Sequence, residues 1–144
     1  MKKILIAICA LMGIGNAIQA EVKLPKFFSD NMVLQQQTEC NLWGTAAAGK
    51  TVVVNTSWDN KTYKVKAAAG DGRFELQVTT PAAGGPYDIT FDDGTKHTLS
   101  NVLVGEVWVV GGQSNMEMPL FYTYGGFEAA KGCENDNIRL NTVG

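Results

Sequence analysis

Ser114 has the strongest claim to chemistry in this sequence. The stretch VWVVGGQSNMEM, residues 107 to 118, is an apolar run, two glycines and then Gln113-Ser114-Asn115. α/β enzymes place reactive groups in the crevice beyond the carboxyl ends of their strands, and Ser114 comes four residues after Val110, where such a strand would end. Gly111 and Gly112 let the backbone turn sharply there. A turn entering a helix leaves backbone N–H groups free, so the Ser114 amide could stabilise an oxyanion during acyl transfer. The competing reading is a helix cap. Ser114-Asn115-Met116-Glu117 fits the pattern S-x-x-E, in which serine and glutamate satisfy orphan amides at a helix start. Pro119 would break or kink such a helix at its fifth position. Glycine-rich turns also bind phosphate, but the stretch around Gly111 and Gly112 does not fit G-x-x-x-x-G-K-[ST]. The nucleophile elbow G-x-S-x-G is not matched either, because Met116 takes its last position.

A serine hydroxyl is a weak nucleophile until a base takes its proton. The one histidine, His97, follows the turn Asp92-Asp93-Gly94 on an expected β-strand, which gives it a structural or surface role. Gly112, Gln113 and Asn115 are candidates for binding substrate or orienting the turn, and Glu117 fits that orienting role better than proton transfer. Trp43, Trp58 and Trp108 could stack against sugars, but as strand residues they fit a core or sheet surface better. Neither C-x-x-C nor H-x-x-x-H is present, so no metal site and no cofactor are expected.

Two kinds of element must position Ser114. The first twenty residues have Lys2 and Lys3, an apolar stretch from Ile4 to Ile14 and Ala20 before Glu21, the layout of a signal peptide. That stretch is too short for a membrane span, which needs about 20 apolar residues. Export to a periplasmic or extracellular location is expected, with no membrane attachment after the leader is removed. Taking Lys2 and Lys3 from the chain's 12 basic residues leaves 10 against 14 acidic ones, a formal charge of −4. Basic stripes are absent, which disfavours a nucleic-acid partner. Cys40 and Cys133 could pair in such a compartment, but their spacing says nothing of Cα separation, and buried free thiols are the simpler expectation. Nothing in the sequence reports oligomeric state.

From Met32 to about Val104 short β runs alternate with turn residues at sandwich-like intervals. Tyr63, Val65 and Ala67 alternate with Lys64 and Lys66, and Phe74, Leu76 and Val78 with Arg73, Glu75 and Gln77, which puts one face in a core and the other in water. Residues 21–104 are therefore expected to form an antiparallel, jelly-roll-like all-β sandwich. At Gly105 the pattern changes. Val107 to Val110 is continuous rather than alternating, as in a strand covered on both faces. A short helix from Phe127 to Lys131 and a second strand from Asn137 to Val143 would follow, the start of an α/β domain over residues 105–144. About 40 residues rarely build a core of their own, so the chain is expected to be cut inside that second domain.

These residues also carry a resemblance. Gly112-Gln113-Ser114-Asn115-Met116, preceded by VLVGEVWVV at 102 to 110, resembles the nucleophile block of the sialate O-acetylesterase family, carbohydrate esterases of the SGNH hydrolase class. Phe28 to Gln35 (FSDNMVLQ), Trp43-Gly44, Ala48-Gly49, Asp71-Gly72 and Gly84-Gly85-Pro86-Tyr87 are similar to landmarks of that family's N-terminal β-domain. The resemblance implies removal of O-acetyl groups from sialic acids or related sugars through an acyl-enzyme on Ser114, whose N–H would be one oxyanion donor. It also implies further oxyanion donors and an Asp-x-x-His partner later than residue 144. Gly111 stands where a serine or other small residue is common, and Phe74 where tryptophan is frequent. Two alternatives stay open: an acetylxylan substrate, and a glycan-binding or domain-docking β-module carrying an inert catalytic remnant.

Overall fold

The computed structural model of the protein describes residues 21–142, so the expected leader, residues 1–20, lies outside the described residues. Among the described residues seven strands form: β1 (Val33–Gln35), β2 (Glu39–Thr45), β3 (Thr51–Thr56), β4 (Thr62–Lys66), β5 (Arg73–Thr79), β6 (Gly84–Asp92) and β7 (Lys96–Gly105). They assemble into a five-stranded sheet of order β1-β7-β6-β3-β4 and a two-stranded sheet of β2 and β5. The described residues are strand-rich, with only short helical turns among them after β7.

Alternation explains which side chains enter the core. In β3 the β-branched residues Val52, Val54 and Thr56 point inward and are buried, since branched side chains suit a pleated, half-covered surface. In β5 Phe74 and Val78 are buried while Arg73, Glu75, Gln77 and Thr79 face water. Leu42 of β2 joins them, and one cluster links these residues to Ile89, Phe91, Leu99, Val102 and Val104 of the larger sheet. The two sheets thus share one interior, which makes a sandwich of the kind expected from the turn spacing. Edge strand β4 exposes Lys64 and Lys66, charges that discourage pairing with another chain.

Two features correct the expected architecture. β1 pairs with β7 in parallel, Val33 opposite Leu103 and Gln35 opposite Gly105, so the module is not wholly antiparallel. The five-plus-two division also differs from an eight-stranded jelly roll. The reason is topological: β1 is only three residues long and turns straight into β2 of the other sheet, which leaves it to dock on the outer edge of the last strand.

Turns are closed by aspartates accepting from amides two residues on. Asp71 accepts from the Arg73 amide at 3.1 Å and Asp92 from the Gly94 amide at 2.8 Å. Gly72 has φ +71°, and a Cβ there would run into the Ala46 carbonyl oxygen, so only glycine fits this turn. Between β3 and β4, Asp59 accepts from the Thr56 hydroxyl at 2.6 Å and from the Lys61 amide at 3.1 Å. Burial pushes the Asp59 carboxyl up, but hydrogen bonds from Thr56 and Lys61, with the Lys61 charge, outweigh it and hold the group below its ordinary value. A lowered folded-state value means that the stability it contributes is present above the unfolded value and lost as pH falls through the folded one. Asp59→Asn is therefore expected to be less stable than the natural protein at neutral pH, with the gap closing below about pH 4. Denaturant titrations across that range check this, and a gap that stays constant would contradict it.

Candidate functional site

β7 ends at Gly105, and the chain then leaves the sandwich. Glu106 is held where it leaves. Its Oε2 accepts from Gln35 Nε2 at 3.1 Å and its Oε1 from Gln36 Nε2 at 2.7 Å. The same Gln35 amide accepts from the Val107 N–H at 2.9 Å through Oε1. Hydrogen bonds from Gln36 and Gln35 hold the Glu106 carboxyl below the ordinary glutamate range. A second tie lies at the other end of the segment. Arg139 donates to the carbonyl and side-chain oxygens of Asn101, whose Nδ2 donates to Asn31 Oδ1 at 2.7 Å. Asn31 and Asn101 both sit at positive φ, which asparagine tolerates better than most residues.

The expected strand at Val107 to Val110 is not formed. These residues lie outside any strand, with Trp108 81% and Val109 96% exposed. A strand covered on both faces needs neighbours that complete its hydrogen-bond ladder, and among the described residues none pairs with this run. The expected strand from Asn137 to Val143 is not formed over residues 137–142, and Val143 lies outside the described residues. The expected helix near Phe127 is present as α1 (Gly126–Ala130).

Ser114 opens a short 3₁₀ helix, Ser114–Glu117, closed by the Met116 amide donating to the Gln113 carbonyl at 2.8 Å. The capping box is not made: Gln113 occupies the cap position, and no side chain caps this helix. The reason is the one Pro119 gave. Pro119 starts a second 3₁₀ turn, Leu120–Tyr122, so there is no long helix for Ser114 to cap. Gly112, Gln113, Ser114 and Asn115 are all exposed. The Ser114 and Asn115 amides precede the first turn bond and have no acceptor inside the helix. Gly112 has a packing reason, since a Cβ there would lie 2.6 Å from Met116 Cγ.

His97 sits near the start of β7 opposite Phe91, half-buried beside a shallow cleft lined by Lys23, Lys26, Phe28 and Asp30. It lies on the β7 end remote from Gly105, about 25 Å away at strand rise, and the cleft beside it includes no residue of the Ser114 turn. The tryptophans do not converge on one platform. Trp43 packs edge-on against Phe27 and Phe28, Trp58 donates to the Thr79 carbonyl at 3.0 Å and meets Tyr87, and Trp108 is exposed. Cys40 and Cys133 are free. Burial pushes the Cys40 thiol up, whereas Cys133 is exposed rather than buried. Among the described residues no three His, Cys, Asp or Glu side chains cluster as a metal would need, and no helix is long and apolar enough to cross a membrane.

Sequence reading did not single out Gln36, Glu106, Asn101 or Arg139. The adjacent glutamines after a short strand were the available signal, but their partners lie about 70 residues away in the chain.

No family model matches the chain. It is 29% identical over 111 residues to the sialate O-acetylesterase of Rattus norvegicus, covering 71% of this chain and 20% of that protein. Against the Mus musculus sialate O-acetylesterase it is 30% identical over 105 residues, 67% of this chain and 19% of that protein. Against the human enzyme of the same name the identity is 26% over 113 residues, 71% and 21% of the two chains. Among solved structures, a carbohydrate acetylesterase from Xanthomonas citri superposes with a TM-score of 0.73 at 34% identity, covering 81% of this chain and 26% of that one. The chain thus spans about a fifth of the length of the curated relatives it matches. Over this partial region the chain is sialate O-acetylesterase-like.

Proposed function

We propose that this chain belongs to an exported carbohydrate esterase that removes O-acetyl groups from sialic acids or related sugars, with Ser114 as nucleophile. Ser114 Oγ attacks the acetyl carbon, the bond to the sugar oxygen breaks, and water then releases acetate from the acylated serine. The Ser114 amide is one oxyanion donor, while Gly112, Gln113 and Asn115 shape the turn. The observation that carries this reading is an exposed serine at the head of a turn, its amide without an acceptor among the described residues, in a chain similar to proteins named as acetylesterases. In this reading residues 105–144 begin an α/β SGNH hydrolase domain after a sandwich of residues 21–104, and that domain covers the exposed run Val107 to Val110. The base and the other oxyanion donors come from later in the full-length protein, so the 144 residues alone are nearly inactive. Replacing Ser114 by alanine in the full-length protein and measuring acetyl-ester hydrolysis is the test.

A second reading has one observation in its favour. Trp43 is 42% exposed on the outer face of the two-stranded sheet, with Glu75 directly opposite it and the pair Asn41 and Gln77 two residues along the same face. An aromatic ring among amides and carboxylates suits a sugar. If the sandwich is a glycan-binding module, calorimetric titration of the full-length protein with its catalytic serine replaced gives heat with sialylated or xylan oligosaccharides that Trp43→Ala removes. Heat that persists unchanged in Trp43→Ala counts against this face.

A further inference from the structure

The contacts around Glu106 form a closed donor–acceptor set. Its carboxylate can only accept, and each oxygen takes one amide N–H, from Gln35 at 3.1 Å and Gln36 at 2.7 Å. The Val107 amide can only donate, so the Gln35 side chain must present Oε1 to it and Nε2 to Glu106. Gln36 is fixed in the same way: its Oε1 accepts from the Ala83 amide at 2.8 Å, and its own N–H donates to the Gly105 carbonyl at 2.8 Å. Residues 105, 106 and 107 are thus gripped in succession by the end of β1, and the loop before β6 joins through Ala83. Beyond Val107, the residues up to Ser114 are exposed.

We propose that Gln35, Gln36 and Glu106 form a positioning joint that aims the chain from β7 into the Ser114 turn, so that turnover depends on their donor–acceptor pattern. This rests on Ser114 being the nucleophile. Ser114 comes seven positions after Val107, a lever of up to about 23 Å. A rotation of a few degrees at the joint moves the serine by about 1 Å, and a misplacement of that size can cost on the order of 10²-fold in rate.

The joint makes an unusual demand that can be tested by exchanging its partners. Glu106→Gln sets one side-chain NH₂ against another, and Gln35→Glu sets two carboxylates together. Gln35→Glu combined with Glu106→Gln restores every bond. The carboxylate then carried at position 35 can accept from both the Val107 amide and the new side-chain amide at 106, which still accepts from Gln36. In the full-length protein each single variant is expected to lower kcat for a small acetyl ester by about 10- to 100-fold with little change in KM. The double variant should return to within about threefold of the natural rate. Hydrogen exchange supplies a readout independent of activity: the Val107 amide should exchange faster in Glu106→Gln and recover its protection in the double variant. Single variants with natural kcat, or a double variant as slow as the singles, overturn the proposal. So does unchanged Val107 exchange. If a full-length Ser114→Ala protein stays active, the nucleophile reading fails instead, and Val107 exchange still reports whether the joint exists.

Discussion

Ser114→Ala in the full-length protein is expected to abolish hydrolysis of a small acetyl ester and of O-acetylated sialic acid while leaving the fold as stable as before. In the proposed mechanism the serine forms the covalent intermediate, so the rate loss should be large. In a serine protease, removing the nucleophile costs on the order of 10⁶ in kcat. Stability should move by no more than about 0.5 kcal/mol, as is usual for an exposed side chain free of special contacts. Ser114 fits that description: it is exposed, and it caps no helix. The two measurements together separate chemistry from packing. A variant that unfolds says that Ser114 supports structure, and one that keeps its rate removes Ser114 from the mechanism. A triad-stripped serine protease retains about 10³ to 10⁴ over water from its oxyanion hole and binding. A small residual rate in Ser114→Ala is therefore compatible with the assignment.

The sandwich was legible because burial on one face leaves a period of two in the sequence. Phe74 and Val78 in β5 show that period against exposed Arg73, Glu75 and Gln77, and both are buried. Turn chemistry was equally local, as at Asp71-Gly72, where the aspartate accepts from the Arg73 amide. Which strand lies beside which is not a local property. The parallel pairing of Val33 with Leu103 spans nearly the whole domain, and neither segment's pattern names its partner. The run Val107 to Val110 illustrates the opposite error. Its composition suits a strand buried on both faces, but that burial depends on neighbours, and the run stays exposed where none pairs with it. At Ser114 the spacing to Glu117 matched a capping box, yet that motif belongs to the first turn of a helix that continues past its glutamate. Pro119 allows only a four-residue 3₁₀ segment before it. The Glu106 contacts were invisible for a related reason: a polar cluster drawn from residues 35, 36, 83, 106 and 107 has no periodicity to detect.

The largest stability effect is expected at Phe91. Its ring is fully buried, on the strand that lies between β3 and β7, opposite Val54 on one side and His97 on the other. Across the interior it meets Phe74 of the smaller sheet with ring centroids 6.4 Å apart. Removing the ring therefore costs contacts in both sheets as well as hydrophobic transfer, and a rigid sandwich cannot collapse fully into the space left. Phe91→Ala should lose about 3–5 kcal/mol, a large share of the roughly 5–15 kcal/mol by which a domain is stable. Phe121→Ala is the matched control. Phe121 is 53% exposed, and truncating it should shift stability by about 0.5 kcal/mol or less. Denaturant unfolding followed by tryptophan fluorescence reads both, and an unchanged m-value would show that Phe91→Ala alters stability without altering how much surface unfolding exposes. A loss below about 1 kcal/mol at Phe91 would mean that the two sheets do not depend on a common interior. The smaller sheet has only two strands, too few to be stable alone, so its attachment through Leu42, Phe74 and Val78 to the core around Phe91 is what keeps it folded, and weakening that core should unfold both sheets in one transition.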